Sequence, residues 1–316
     1  MMNYNFSKLK AILLAAFCLL LTLGQVVPGQ AGIWIRPSAV KQGEIIIVSG
    51  LFYDFSNASA KRGFSFLGDC SLKFEGETYN FYREIVSYEE FRNSGGTQGF
   101  QFITRLASTP LTTVGEKTIT LNCPTGSEVF KVNIQAGNFP VQNIQLSASK
   151  NSLNSTEKEK LAVEAALKSK SPYRLWDSNK IWTLPNSARR SSVYGLRRTY
   201  NGKLAENYFH KGLDFAAFTG ASIMAPAKGK VVLAGHEKDG FAVHGNCLFI
   251  DHGQGVVSSY LHLSEISVKE GQEVESGQLL GKVGDTGIAT GPHLHFGVYV
   301  NGQNVNPDPW LQFAIP

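Results

Sequence analysis

No histidine occurs in the first 209 residues of this 316-residue chain, and all seven lie between His210 and His295. The upstream part also lacks any cluster of acids or cysteines at chemically useful spacing. That leaves it without a candidate catalytic or metal centre and sends the search for chemistry towards the C-terminus. Charge is scarce as well. Charged residues make up 17% of the chain and the formal net charge is +5, too little to argue for nucleic acid and enough only for mild attraction to an anionic surface.

A long hydrophobic run is missing too. The most apolar stretch, AILLAAFCLLLTL, has thirteen residues, short of the roughly 20 a membrane span requires. Lys8 and Lys10 precede it and PGQA follows. A basic start, a short apolar middle and small residues at the end describe a secretory signal peptide over residues 1–31, cleaved after Ala31. Cys18 follows Phe17, not a small residue, which argues against a lipoprotein cleavage site. Cleavage removes two lysines and no acids, lowering the charge from +5 to +3, and leaves no stable membrane span.

Cysteines are few. Beyond the signal peptide they are Cys70, Cys123 and Cys247. Export favours disulfides. Cys70 and Cys123 both sit near the edges of strand-like runs in the first half, so the expected pair is Cys70–Cys123. Cys247, in the apolar run CLFI, is expected to be a buried free thiol.

The chain does carry strand-forming residues and turns: Gly 32, Phe 20 and Tyr 11, with 43% hydrophobic residues overall. Residues 32–148 read as one all-β unit, a β-sandwich of immunoglobulin-like type, with SLKFEGETYNFYRE forming two alternating strands around a Gly76 turn. Residues 149–170 read as a helical linker. There Thr156 and Glu159 have the spacing of a capping box, acids fill the first turn, and Pro172 stops the helix. From residue 171 to 316 the pattern is β-rich again.

Three segments of that second unit carry the chemistry. In HKGLDF, His210 and Asp214 share a face if the segment is extended, and Gly212 between them leaves room for an ion. In SSYLHLS, Tyr260 and His262 are expected on one face. In TGPHLHFGVYV, His293 and His295 point one way and Leu294 and Phe296 the other. Five groups thus converge: His210, Asp214, His262, His293 and His295. A catalytic zinc takes three protein ligands and keeps a fourth position open, which leaves two histidines for proton work.

The order HxxxD, HLS, HxH, together with YGLR, MAPAKGKVV, GNCLFIDHG and VKEGQEVESGQLLGKVGDTG, resembles the M23 zinc metallopeptidases, the lysostaphin- and LytM-like cell-wall endopeptidases. The resemblance covers most of Trp182 to Trp310. It implies one zinc per chain on His210, Asp214 and His295, with His262 and His293 as catalytic histidines, in an antiparallel β-sheet domain with a narrow groove. It implies hydrolysis of peptide bonds in peptidoglycan stem peptides or cross-bridges by zinc-activated water, in the periplasm, cell envelope or surroundings of a bacterium. The upstream domain is then placed to contact the groove.

The remaining features have plainer readings. His236, His244 and His252 are expected to be structural. Tyr194, Tyr200 and Tyr208 are candidate oxyanion helpers, and YGLRRTYNG reads equally as a groove wall or a solvated loop. The Gly-punctuated hairpins resemble those of biotinyl and lipoyl carriers, but no MKM or DKA tripeptide is present. The competing function is a non-enzymatic, wall-binding activator of another hydrolase.

Overall fold

A computed structural model describes residues 33–54, 70–85, 98–124 and 126–316. The expected signal peptide lies outside the described residues. Among the described residues no helix is long and apolar enough to cross a membrane.

The upstream unit consists of two sheets. Strands β1 (Ile33–Arg36), β3 (Ile45–Asp54), β6 (Tyr82–Ile85) and β7 (Gln98–Ala107) pair in the order β1-β3-β7-β6. Strands β2 (Ala39–Lys41), β4 (Ser71–Phe74), β5 (Glu77–Asn80), β8 (Gly115–Cys123) and β9 (Gly126–Gln135) pair in the order β2-β9-β8-β4-β5. Alternation decides what each strand buries. Leu72 and Phe74 of β4, Ile119 and Leu121 of β8, and Val132 and Ile134 of β9 share a core with Ile46, Val48 and Leu106 of the other sheet. The β4–β5 turn uses Glu75 and Gly76, both at positive φ (49° and 84°), the conformation a tight two-residue hairpin requires. Cys70 and Cys123 are joined in a disulfide closing a separation of 53 residues, and Cys247 is free and buried.

The segment that follows is more than a connector. Strand β10 (Val141–Ile144) runs parallel to β12 (Arg197–Tyr200), which pairs in turn with β13 (Lys203–Leu204). Helix α1 (Ala148–Asn151) precedes α2 (Glu157–Leu167). Thr156 caps α2 by accepting from the Glu159 N–H at 3.1 Å. Glu159 does not complete the expected box, because its side chain is fully buried in bonds to another element.

The downstream unit is a ten-stranded sheet whose pairs are all antiparallel. It comprises β11 (Arg190–Ser192), β14 (Leu213–Phe215), β15 (Ser222–Met224), β16 (Gly229–Gly235), β17 (Asn246–Gly253), β18 (Val256–Ile266), β19 (Glu273–Val274), β20 (Leu279–Val283), β21 (Leu294–Val300) and β22 (Gln303–Val305), closed by α3 (Asp308–Gln312). Its main order is β11-β14-β21-β18-β17-β16-β19. Strands β17, β18 and β21 are buried almost throughout, since both faces are covered. Leu248, Ile250, Tyr260 and Phe296 fill the main core. On the other side Phe249, Val257, Leu261 and Tyr299 pack under Ala162, Val163 and Ala166 of α2.

The two units are tied by a buried arginine. Arg105 of β7 donates to Gln254 Oε1 at 2.9 Å and to the Pro316 main-chain oxygen, and lies over the Trp176 ring. Glu84 accepts from Gln254 at 2.8 Å and pairs with Arg174 at 3.2 Å.

Candidate metal centre and groove

Strands β14 and β21 pair with Asp214 opposite His295, which sets two of the candidate groups side by side. The third arrives from the segment just before β14. Asp214 Oδ1 lies 2.9 Å from His210 Nε2 and 2.9 Å from His295 Nδ1, and these two nitrogens are 3.0 Å apart. All three residues are buried, and their three ligand atoms form a cluster that could hold a metal ion.

The tautomers follow from the second ring nitrogens, since a main-chain carbonyl can only accept. His210 donates Nδ1–H to Val193 O at 2.7 Å, His262 to Thr286 O at 2.9 Å, and His293 to Gly291 O at 2.8 Å. Each therefore presents Nε2 with its electron pair free. Two imidazole nitrogens and one carboxylate oxygen converging on one point are a donor set that suits zinc with a position left open. Burial would raise the Asp214 pKa, but His210 and His295 beside it prevail and hold the carboxyl well below its usual range. Burial pushes His295 down to about 4, and burial with His293 and His295 alongside pushes His262 well down. These rings stay neutral at pH 7, as ligands and proton acceptors must be.

His262 and His293 stand beside this cluster with ring centroids 4.8 Å apart. His293 Nε2 is 3.9 Å from Asp214 Oδ1. Four of the five histidine and aspartate groups singled out in the sequence, Asp214, His262, His293 and His295, line one groove of about 1050 Å³, and the fifth, His210, is fully buried.

Two details differ from expectation. Tyr260 and His262 do not share a face: β18 bulges against β17 between Tyr260 and Leu263, and His262 takes φ +68°. The extra residue sends Tyr260 into the core and His262 to the groove. Gly212 makes room for main chain more than for an ion, since a Cβ there would fall 2.2 Å from Phe296 O.

The other candidates separate cleanly. His252 is structural, with Nδ1 on Lys228 O and Nε2 on Ser258 Oγ, both at 2.7 Å. His236 precedes a short 3-10 turn over Glu237–Asp239. His244 is more than packing: it lines the groove and is gripped by Glu159 at 2.6 Å. Tyr194 turns into the core and donates to Asn304 O at 3.0 Å, whereas Tyr200 and Tyr208 line the groove. Sequence reasoning missed Arg198 and Glu159, for neither has a spacing signal linking it to its distant partner.

Against known proteins, residues 208–307 match the model of Peptidase family M23, so the chain carries a peptidase M23 domain. Over 107 residues it is 45% identical to the DD-carboxypeptidase/endopeptidase Mpg of Neisseria meningitidis serogroup B, covering 34% of this chain and 23% of that protein. Over 137 residues it is 35% identical to the murein hydrolase activator NlpD of Salmonella typhimurium, covering 41% of this chain and 35% of that one. The match thus spans only about a quarter to a third of these relatives' lengths. The crystal structure of a peptidase M23 from Pseudomonas aeruginosa superposes with a TM-score of 0.54 at 27% identity, covering 87% of this chain and 95% of that one. That likeness extends well upstream of the matched family segment.

Proposed function

We propose that the protein is an exported zinc metalloendopeptidase that cleaves peptide bonds in peptidoglycan stem peptides or cross-bridges. One observation carries the reading: His210, Asp214 and His295 converge within hydrogen-bonding distance of one another, with the free Nε2 atoms of His262 and His293 alongside in an open groove. The relatives named for work on the cell wall supply the substrate class.

In this reading His210, Asp214 and His295 hold the ion. When bound, zinc lowers the pKa of water from 15.7 to about 7 and polarises the scissile carbonyl. The chain's own residues do the rest. The groove orients the peptide, and the carbonyls of Thr286 and Gly291 fix the rings of His262 and His293 so that Nε2 faces inward. One of these nitrogens takes a proton from the attacking water. The same atom or its neighbour then delivers a proton to the leaving amine. Thr109 and Leu111 of the upstream unit are among the residues that line the groove, which supports a contact between the two units along the substrate path.

The NlpD likeness supports a second reading, a wall-binding activator with no turnover of its own. Purified full chain incubated with isolated peptidoglycan separates them. We expect zinc at one per chain and release of peptides without any partner, His293→Ala retaining zinc but releasing none, and Asp214→Asn losing both. Release only on adding another hydrolase would establish the activator, and full activity of His293→Ala would overturn the role given to that ring.

A further inference from the structure

Asp214 has two carboxylate oxygens, and the structure uses them differently. Oδ1 faces His210 and His295. Oδ2 accepts from Arg198 Nη2 at 3.0 Å, an ion pair whose side chains are only 12% and 8% exposed. Arg198 is held in turn: its Nε donates to Gln142 Oε1 at 3.1 Å, and Gln142 Nε2 donates to Ser192 Oγ at 2.9 Å. The ladder makes this grip specific, because β10 and β12 pair with Gln142 directly beside Arg198. Both residues lie upstream of the matched family segment, which begins at residue 208.

We propose that Arg198 is a positioning residue that confines Asp214 to a single-oxygen ligand, and that Gln142 of β10 holds it to that task. The inference rests on the metal-site reading above and adds to it. A free carboxylate can close on a cation with both oxygens and take up two coordination positions. The guanidinium donates Nη2–H to Oδ2 and competes for that oxygen, while its planar, rigid geometry fixes Nη2 once Gln142 holds Nε. Poor solvent exposure keeps the pair from being screened away. What remains is Oδ1, pointed at the two histidine nitrogens. The arrangement orients a ligand through its outer partner, and losing such a partner typically costs 10–100-fold in metal affinity.

The test uses cobalt(II) as the probe on the metal-free full chain, reading affinity by titration and coordination by the visible d–d spectrum. Wild type should give the intense bands of a low-coordinate site. Arg198→Met should bind cobalt about 10- to 100-fold more weakly, with bands weakened towards those of a higher-coordinate ion, and Arg198→Lys should recover part of both. A purely structural role for the arginine would lower the melting temperature and leave the spectrum unmoved, and that result overturns the proposal. Should Arg198→Met not fold, Gln142→Leu keeps the arginine and withdraws only its Nε partner. A loss of about threefold with the same spectral trend is then expected, and an unchanged affinity and spectrum overturns the proposal. If wild type takes up neither cobalt nor zinc, the metal-site reading itself is wrong and the inference falls with it.

Discussion

Replacing Glu159 by alanine should destabilise the downstream unit and disturb His262 in one stroke. The carboxylate is fully buried and accepts from three donors of one turn: Val243 N at 3.1 Å, His244 N at 2.8 Å and His244 Nδ1 at 2.6 Å. The half-buried His244 ring can recover water, so it adds little to the cost. The two main-chain N–H groups cannot do so as easily, and an unsatisfied buried donor costs about 1–3 kcal/mol. A loss of about 3 kcal/mol is therefore expected for Glu159→Ala. Glu159→Gln keeps an acceptor oxygen for the N–H groups and should lose about 1 kcal/mol. Urea unfolding at constant m-value measures both. The same turn also holds the His262 side of the groove, since His244 O accepts from His262 N at 3.1 Å and Val243 O from Ile288 N at 2.9 Å. Peptide release should accordingly fall in Glu159→Ala with zinc retained. Burial alone would raise the Glu159 pKa, but the bonds from His244 and Val243 outweigh it and lower it. Its contribution is then fully present above the unfolded value of about 4.3 and is lost as pH falls through the lower folded value. The gap between wild type and Glu159→Gln should close only in that acid range. Glu159→Ala as stable as wild type, or a gap that closes at neutral pH, would refute the reasoning.

Two further outcomes follow from the fold. The Cys70–Cys123 disulfide closes a separation of 53 residues, so replacing both cysteines by alanine should cost the upstream sandwich about 4 kcal/mol in chain-entropy terms; a loss under about 1 kcal/mol in denaturant titration would contradict this. Burial pushes the fully buried His252 down to about 4, so the unfolded chain takes up a proton below about 6.5 that the folded chain refuses until about 4. Its stabilising contribution is intact above that window and is lost as pH falls through it, by at most about 3 kcal/mol. Thermal melts of the zinc-loaded protein should show a shallower decline for His252→Gln than for wild type, and parallel declines would refute the assignment.

The parts of this structure that sequence made legible are those built on short periods. Alternation set the strands of the upstream sheets, Gly76 marked a hairpin turn, and the two-residue spacing of His293 and His295 put both on the groove side. The four-residue spacing of His210 and Asp214 worked because Gly212 let the segment run close under Phe296. Failures came where the period breaks or the partner is remote. The β18 bulge is an insertion against β17, visible only when both strands are paired, so the face of Tyr260 could not be read from β18 alone. Glu159 obeys the capping-box spacing, yet its carboxylate goes to residues 243 and 244, about 84 positions on. Arg198 looks like any loop arginine until Asp214 and Gln142 are brought to it.

Those remote partners bear on how the two units work together. The segment between the sandwich and the peptidase sheet supplies Gln142 to Arg198 and Glu159 to the turn that holds His262. Ile144, Leu146 and Lys150 from the same segment line the groove. Cutting the chain at residue 171 would therefore remove a wall of the groove and two of its supports along with the upstream domain. Lower activity in such a fragment would say nothing about whether the sandwich restrains the intact chain, and higher activity would have to overcome the loss of both ties. A cut after Gln135, the last residue of β9, removes the sandwich, and Thr109 and Leu111 with it, but leaves Gln142, Glu159 and the wall formed by Ile144, Leu146 and Lys150 in place. That comparison isolates the upstream domain, because the downstream half then keeps Gln142 and Glu159, which hold Arg198 and the turn that carries His262.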